Sequence, residues 1–411
     1  MKVLGLVTEY NPFHFGHKHH LEYSKKALNS THTLIVMSSS FVQRGEPAFL
    51  DKWTRAKMAI DNGVDLVLEL PFVYAVQSAE LFALGALRIL DSLNIVDYIS
   101  FGSEQGNIEE LEMISEILLE EGPVFKETLT KNLKKGLSFS VSRSKAIQEA
   151  YKASFKEDGK VIERILKQSN NILGIEYLKA IKKLSSQIKP FTMQRLGDQY
   201  KDRTVEGIAS ATGIRNTFFQ DGINSIKGLV PQVSYEYLSA YYKEYGAFNS
   251  LDKYYDIINY LLITKSLDEL KNIFDMENGL ENRMVRVNQE TSNIYDFIKR
   301  VSTKRYPKTR IQRILLHLLI GLDKNEIRKI YKNPNNYIRI LASNKKGLEV
   351  IRLIKNSSNL HIINKFSDYK KLNNPDINTI LKYEEKSTDL FFLGMDSNEY
   401  NMDYFNSPYI K

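Results

Sequence analysis

The fold is decided by ten residues near the start of the chain, Thr8-Glu9-Tyr10-Asn11-Pro12-Phe13-His14-Phe15-Gly16-His17. The preceding residues 3–7 form a short apolar run that is typical of a buried strand. Asn11-Pro12 interrupts this strand, because the residue before a proline is disfavoured in the α region. A helical pattern begins after Gly16. The sequence therefore predicts a strand, a tight loop and a helix N-terminus.

Two histidines, His14 and His17, lie on either side of Gly16 at this helix start. A helix N-terminus has unpaired backbone N–H groups and a partial positive charge, so it favours phosphate. The imidazoles can donate hydrogen bonds to phosphate oxygens, and Gly16 lets a nucleotide come close. The alternative is that these are ordinary surface histidines. Four of the seven histidines fall within seven residues, however, and this clustering favours a phosphate site.

Apolar runs and helical patterns alternate up to about residue 102. The sequence predicts strands at 33–37, 64–70 and 98–101, and helices at 51–61, 78–93 and 107–119. This alternation is typical of an α/β fold with a parallel sheet covered by helices on both faces. Ligands of such sheets bind beyond the carboxyl ends of the strands, where the segments 8–17, 38–46 and 102–104 lie.

The remaining chain divides into three parts. Residues 121–163 are charged and helix-prone, which predicts a helical insertion. The sheet pattern returns at 188–194, and another helix opens at about residue 208. From about residue 230 helical periods dominate. We therefore predict a nucleotide-binding domain at 1–225 and a mostly helical domain at 226–411.

The composition is ordinary for a globular protein, with 43% hydrophobic and 26% charged residues. The absence of cysteine excludes disulfide-linked partners and cysteine metal sites, and it fits a reducing compartment. We find no signal-peptide pattern and no apolar run long enough to span a bilayer, so we expect a cytoplasmic protein. The net charge of +8 permits an anionic partner.

The run from Asn11 to His17 resembles the HxGH motif of nucleotidyltransferases, which transfer adenylyl groups from ATP. Residues 5–17 resemble the tRNA(Met) cytidine acetate ligase family, although nucleotidyltransferases usually have aspartate where Asn11 stands. The resemblance continues through Gln43-Arg44-Gly45-Glu46-Pro47. A second signature, Ser210-Ala211-Thr212-Gly213-Ile214-Arg215, is similar to SxTxIR. The resemblance implies a Rossmann-like nucleotidyltransferase domain followed by a mostly helical C-terminal domain.

The same resemblance implies the functional residues. It implies a catalytic group of His14, His17 and Lys18. It implies ATP contacts along the first loop and helix start, namely Val7, Thr8, Glu9, Tyr10, Asn11, Pro12, Phe13, His14, Phe15, Gly16, His17, Lys18, His19 and His20. Further ATP contacts are implied at Gly102, Asn170, Arg195, Ser210, Thr212 and Arg215.

Some of these residues have simpler interpretations. Gly102 fits an ordinary turn, Arg195 fits a solvated arginine, and Asn170 fits a helix N-cap. Asn171 adjoins Asn170, and the sequence leaves open which of the two faces ATP. Mg²⁺ is expected from ATP chemistry, but no metal-ligand cluster is visible in the sequence.

A basic segment in the second half has seven positive charges within fifteen residues and no acid. Its members are Lys299, Arg300, Lys304, Arg305, Lys308, Arg310 and Arg313. The simpler interpretation is a solvated face. The alternative is a surface that contacts RNA phosphates, with Tyr306 available for base stacking.

Taken with the resemblance, these features predict acetate-dependent acetylation of the wobble cytidine of elongator tRNA(Met), driven by ATP. The expected partners are tRNA and acetate. Two alternatives remain open. The first is an adenylyltransferase that acts on a small mononucleotide or phosphopantetheine. The second is a protein that binds ATP and RNA without catalysis.

Overall fold

The structure is a computed structural model that describes residues 1–137, 139–155, 160–195, 209–333 and 336–411. Its N-terminal part alternates strands and helices, as the sequence predicts. The elements are β1 (Val3–Thr8), α1 (Phe15–Leu28), β2 (His32–Ser38), β3 (Phe41–Val42), β4 (Glu46–Pro47), α2 (Lys52–Asp61), β5 (Leu66–Leu70), α3 (Phe72–Ala75), α4 (Ala79–Ser92) and β6 (Tyr98–Ser103).

Helices dominate the next part, where the sequence predicts a helical insertion. The elements are α5 (Ile108–Glu120), α6 (Pro123–Lys134), α7 (Phe139–Phe155), α8 (Lys160–Leu166), α9 (Ser169–Lys183), β7 (Lys189–Gln194) and α10 (Ala211–Asp221). The helix predicted from about residue 208 is α10, and residue 208 itself lies outside the described residues.

The C-terminal half is mostly helical, as predicted. The elements are α11 (Gln232–Tyr245), α12 (Tyr255–Thr264), α13 (Leu267–Lys271), α14 (Leu280–Asn288), α15 (Ile294–Val301), α16 (Lys308–Ile320), α17 (Lys324–Lys332), β8 (Tyr337–Ser343), α18 (Lys345–Ser357), β9 (His361–Ile363), α19 (Pro375–Leu393), α20 (Met402–Phe405) and β10 (Tyr409–Ile410). Short 3-10 helices lie at Ile223–Ile226, Leu251–Tyr254 and Phe366–Lys371.

Eight strands form the main sheet, in the order β10-β8-β5-β2-β1-β6-β7, with β9 paired to β8. The chain winds outward from β1 through β2 and β5 on one side, and through β6 and β7 on the other. The strand order therefore reverses beside β1, and open α/β sheets bind ligands at such a point. This topology places the carboxyl end of β1, and the loop that follows it, at the expected ligand crevice.

The C-terminal half joins this sheet. Its strand β8 is buried along its whole length and pairs with β5, and this pairing is antiparallel whereas the other pairings within the main sheet are parallel. The sequence predicts no strand here, because a single fully buried apolar run has no period that separates a strand from a buried helix. The division into domains at 1–225 and 226–411 stays a prediction, but strands from both parts share one sheet.

A buried ionic cluster ties the two halves together. The Lys52 ammonium lies 2.7 Å from Glu69, 3.0 Å from Glu384 and 2.8 Å from Asp403. Arg339 of β8 also pairs with Glu69 and Asp403. Removing one member would leave a buried charge without its partner, at a typical cost of about 3–5 kcal/mol. The cluster therefore fixes how α2 and β5 meet β8, α19 and α20.

Candidate active site

His14 is the N-cap of α1, and its imidazole is fixed by the first turn of the helix. Its Nδ1 accepts a hydrogen bond from the backbone N–H of Gly16 at 3.0 Å. Nδ1 of His17 accepts from the backbone N–H of His14 at 3.4 Å. The two rings stack with their centroids 3.8 Å apart. Because Nδ1 is the acceptor in both rings, each neutral imidazole carries its proton on Nε2 and can donate it to a ligand.

Both histidines are held in the neutral form. Burial, followed by the nearby charge of Arg195, lowers the pKa of His14 to about 3. Burial, followed by the charges of His14 and Arg195, also lowers the pKa of His17 well below its ordinary value. Burial lowers the pKa of His20 to about 4. At neutral pH the site therefore offers Nε2–H donors rather than imidazolium cations.

Arg55, a residue that the sequence analysis missed, fixes the loop after β1 through hydrogen bonds. This buried guanidinium donates to the carbonyls of Glu9 at 2.8 Å, Ser38 at 2.9 Å and Leu50 at 3.0 Å, and also to that of Ser39. These carbonyls lie after β1, at and after the end of β2, and before α2. Arg55 sits in an unremarkable helical pattern, so no local signal marks it.

The remaining loop residues play different parts. Asn11 Oδ1 accepts from the backbone N–H of Phe49 at 2.6 Å, which fastens the loop to the segment after β4. Tyr10 and Phe13 pack edge to face in the core.

Two polar side chains lie near the end of β1. Glu9 accepts from the backbone N–H of Gln43 at 2.8 Å, and burial raises the pKa of its carboxyl. Thr8 Oγ1 is buried and has no hydrogen-bond partner in the described part of the chain.

Lys18 and His19 lie on the outer side of α1. Lys18 is half-exposed and stands 3.9 Å from Glu22 on the next turn. His19 packs beside Tyr23, with ring centroids 5.9 Å apart. His20 turns toward β6, where its Nε2 lies 2.9 Å from Ser100 Oγ. Of the four clustered histidines, His14 and His17 therefore stack on each other, whereas His19 and His20 contact other residues.

The second signature meets the first in space. Ser210 is the N-cap of α10, and its hydroxyl accepts from the backbone N–H of Gly213 at 3.1 Å. One turn later, Arg215 donates to the carbonyl of Asn11 at 2.9 Å and to Thr212 Oγ1 at 3.5 Å. Its other partner is Glu46, at 3.3 Å. A guanidinium from α10 therefore contacts the loop that leads into His14.

A third group approaches from β6, β7 and α9. Glu104 accepts from the backbone N–H and the side chain of Asn170, at 3.1 and 2.7 Å, and from the backbone N–H of Asn171 at 2.8 Å. Asn170 Oδ1 in turn accepts from Arg195 at 3.1 Å. A Cβ on Gly102 would lie 2.8 Å from Arg195 Cγ, so the glycine makes room for this arginine. Asn171 is fully buried and receives the backbone N–H of Gln105 at 3.1 Å.

The profile of the HIGH Nucleotidyl Transferase family matches residues 1–404. The chain belongs to this family. It is 46% identical to the tRNA(Met) cytidine acetate ligase of Thermoanaerobacter sp. (strain X514) over 91% of both chains, and 41% identical to that of Clostridium perfringens (strain ATCC 13124) over 100% of both. The crystal structure of Thermotoga maritima TmcAL bound with alpha-thio ATP is 32% identical, covers 100% of both chains and superposes with a TM-score of 0.92.

In the basic segment of this HIGH nucleotidyl transferase, some residues form ion pairs with acids and others do not. Arg300 pairs with Asp296 at 2.9 Å, Arg305 with Glu277 at 2.7 Å, and Arg310 with Asp275 and Glu277, each at 2.7 Å. Arg313 is half-buried, and burial lowers the pKa of its guanidinium. Among the described residues, no acid pairs with the exposed Lys299, Lys304 or Lys308. Three lysines are therefore free to meet an anionic partner.

In the described part of the chain, no three His, Asp or Glu side chains are grouped so that they could hold a metal ion. Mg²⁺ prefers oxygen ligands and is commonly bound through one or two carboxylates, water and substrate phosphates. The candidate site instead offers imidazole and guanidinium donors, which suit phosphate oxygens.

None of the helices in the described residues is both long and apolar enough to span a bilayer.

Proposed function

We propose that the chain is an ATP-dependent ligase that acetylates the wobble cytidine of elongator tRNA(Met), using acetate. The observation that carries this proposal is the meeting of the two signatures: the Nε2–H groups of His14 and His17 and the guanidinium of Arg215 lie around one loop at the reversal point of the sheet. The curated relatives named tRNA(Met) cytidine acetate ligase support the substrate assignment. A reaction that consumes ATP and tRNA fits a cytoplasmic location.

The first step forms acetyl-adenylate. An acetate oxygen attacks the α-phosphorus of ATP, the bond from that phosphorus to the bridging β-oxygen breaks, and pyrophosphate leaves. Negative charge grows on the phosphate oxygens as this happens. The Nε2–H groups of His14 and His17 would donate to these oxygens, and Arg215 would donate to the departing pyrophosphate through N–H groups that its protein partners leave free. A preorganised donor of this kind typically contributes about 3–4 kcal/mol to the transition state. Mg²⁺ would be held through the phosphates and supply further positive charge.

The second step transfers the acetyl group. The exocyclic amine of the cytidine attacks the acetyl carbonyl carbon, the bond from that carbon to the AMP oxygen breaks, and the amine loses one proton. The cytidine has to leave its stack to reach a site inside the sheet crevice. We propose that the basic segment holds the RNA backbone, because its exposed lysines have no acid partner among the described residues and can contact phosphates.

We propose that Asn170 and Arg195 complete the nucleotide site. Arg195 is exposed and stands close enough to the histidines to lower the pKa of His14 and His17. Its bond to Asn170 holds it above Gly102, where a side chain would displace it. An arginine in this place would contact the nucleotide in addition to Arg215.

The test is ATP–pyrophosphate exchange with and without acetate, followed by detection of N4-acetylcytidine in elongator tRNA(Met). Exchange that requires acetate supports the ligase. Exchange that requires a mononucleotide or phosphopantetheine instead would identify a small-molecule adenylyltransferase. If exchange is absent under all of these conditions, the remaining alternative is a protein that binds ATP and RNA without catalysis.

A further inference from the structure

The hairpin formed by β3 and β4, residues 41–47, lies between the nucleotide loop and α16. Gly45 sits in its turn with φ +81°, a left-handed conformation that favours glycine. A Cβ on Gly45 would lie 2.4 Å from the backbone nitrogen of Arg313. The turn therefore rests directly against the backbone of α16, and the distance between the hairpin and this helix is fixed by backbone contact.

Glu46, next in the hairpin, uses its two carboxylate oxygens in opposite directions. Oε2 accepts from Arg215 Nη2 at 3.3 Å. Oε1 accepts from Gln312 Nε2 at 3.2 Å. Gln312 is only 3% exposed, so its amide has little access to water. A buried amide group that loses its hydrogen-bond partner costs about 1–3 kcal/mol, and this cost keeps Gln312 on Glu46.

From this chain of contacts we propose that Glu46 is a positioning residue for Arg215, and that the C-terminal half completes the phosphate site through Gln312. The proposal rests on the proposed contact between Arg215 and the ATP phosphates. Arg215 belongs to the N-terminal half in sequence, but the direction of its guanidinium is set by a carboxylate that α16 holds in place. Neither of the two signatures nor the stretch 43–47 reveals this, because Gln312 lies outside all of them.

The geometry leaves Arg215 able to bind phosphate while it is held. Its guanidinium has five N–H donors, and three hydrogen bonds join it to Asn11, Glu46 and Thr212. The remaining donors are available to a ligand. A guanidinium that is already oriented needs no rearrangement as charge develops on the phosphate, which is the condition for effective electrostatic catalysis.

The experiment compares Glu46→Gln, Gln312→Met and the double variant in acetate-dependent ATP–pyrophosphate exchange by the full-length protein without tRNA. Small misplacements of a catalytic group have large effects, so we expect each single variant to lower kcat/KM for ATP about tenfold. Both changes break the same chain of contacts. The kcat/KM of the double variant should therefore be no more than about twofold below that of the less active single variant. Independent effects would multiply to about a hundredfold loss instead.

The matched control is Glu277→Gln, since Glu277 has nearly the same exposure as Glu46, 34% against 35%, and pairs with arginines other than Arg215. It should leave exchange unchanged. Glu46→Gln keeps the size of the side chain at a partly exposed position, so it tests the proposal even if Gln312→Met unfolds. Arg215→Ala separates the two proposals. If it slows exchange while Glu46→Gln matches wild type, the positioning role is wrong and the phosphate contact stands. If Arg215→Ala has no effect, the phosphate contact is wrong, and the positioning role falls with it.

Discussion

Asn170 Oδ1 accepts a hydrogen bond from Arg195 at 3.1 Å, whereas the neighbouring Asn171 is fully buried. Two adjacent asparagines at the start of α9 therefore differ in both exposure and contacts. Asn170 lies on the side of the helix that meets Arg195, and Asn171 joins α9 to the loop after β6. This arrangement favours Asn170 as the residue that faces ATP.

The first prediction separates these two residues. Asn170→Ala should weaken ATP binding about tenfold and leave the free energy of unfolding nearly unchanged, because its side chain is only half-buried. Asn171→Ala should lower the free energy of unfolding by about 1–3 kcal/mol, since it leaves the backbone N–H of Gln105 without its acceptor. Titration with ATP and urea denaturation measure the two quantities. The opposite pattern would assign the ATP contact to Asn171.

The second prediction concerns His14 and His17. Alanine at either position should slow acetate-dependent exchange by about a hundredfold or more, the usual effect of removing one preorganised donor. His14→Asn is the sharper variant, because asparagine can keep the cap of α1 while the imidazole is lost. It should retain stability and lose activity. The control is His361→Ala on β9, an exposed histidine far along the chain. Wild-type exchange by His14→Asn and His17→Ala would refute the assignment.

The third prediction concerns Arg215. Its replacement by alanine should weaken ATP binding and slow adenylate formation about a hundredfold, because the departing pyrophosphate loses a charged donor. Affinity for tRNA should stay unchanged. Arg352→Ala on α18 is the control, since this exposed arginine lies in the C-terminal half and outside the nucleotide loop. Equilibrium binding of ATP and of tRNA distinguishes the two effects.

The fourth prediction concerns the basic segment. Replacing Lys299, Lys304 and Lys308 with glutamine should weaken tRNA binding and flatten its salt dependence by up to about one unit of slope per lost phosphate contact. Acetyl-adenylate formation should continue. Arg300, Arg305 and Arg310 are already paired with acids, so replacing these three should flatten the slope less.

The control for the lysine variant changes the same number of charges elsewhere. Lys131, Lys134 and Lys135 are exposed on and beside α6 in the helical insertion. Their replacement with glutamine should leave the salt slope of tRNA binding unchanged. If both triple variants lower affinity equally, tRNA responds to net charge alone, and the basic segment is a solvated face.

The fifth prediction is a pH dependence of stability. The folded pKa of His14, about 3, lies below its ordinary value of 6.5, so the unfolded chain binds more protons between these limits. The stabilising contribution of the neutral imidazole is complete above pH 6.5 and is lost as the pH falls toward 3. At pH 5 the loss from this residue should be on the order of 2 kcal/mol. Urea denaturation at pH 7 and pH 5 measures it, and His14→Asn should show a smaller difference between the two.

The sequence by itself determined the parts of the molecule that depend on local chemistry. The apolar run, the interruption at Asn11-Pro12 and the glycine at a helix start specify a strand, a loop and a helix N-terminus through interactions within twenty residues. The placement of Ser210 as an N-cap follows from the same local rules. These features were sufficient to predict a nucleotide site at the end of β1.

Only the tertiary structure decided which distant side chains complete the site. Arg55 gathers carbonyls from separate segments, and Gln312 reaches Glu46 across 266 residues of chain. β8 joins the sheet in the opposite direction to its neighbour β5. Each of these depends on which elements pack against each other, and the residues near each position in the sequence do not specify that distant partner. The loop for which we propose phosphate binding is therefore predictable from its own residues, whereas the contacts that orient it form only once both halves of the chain have folded together.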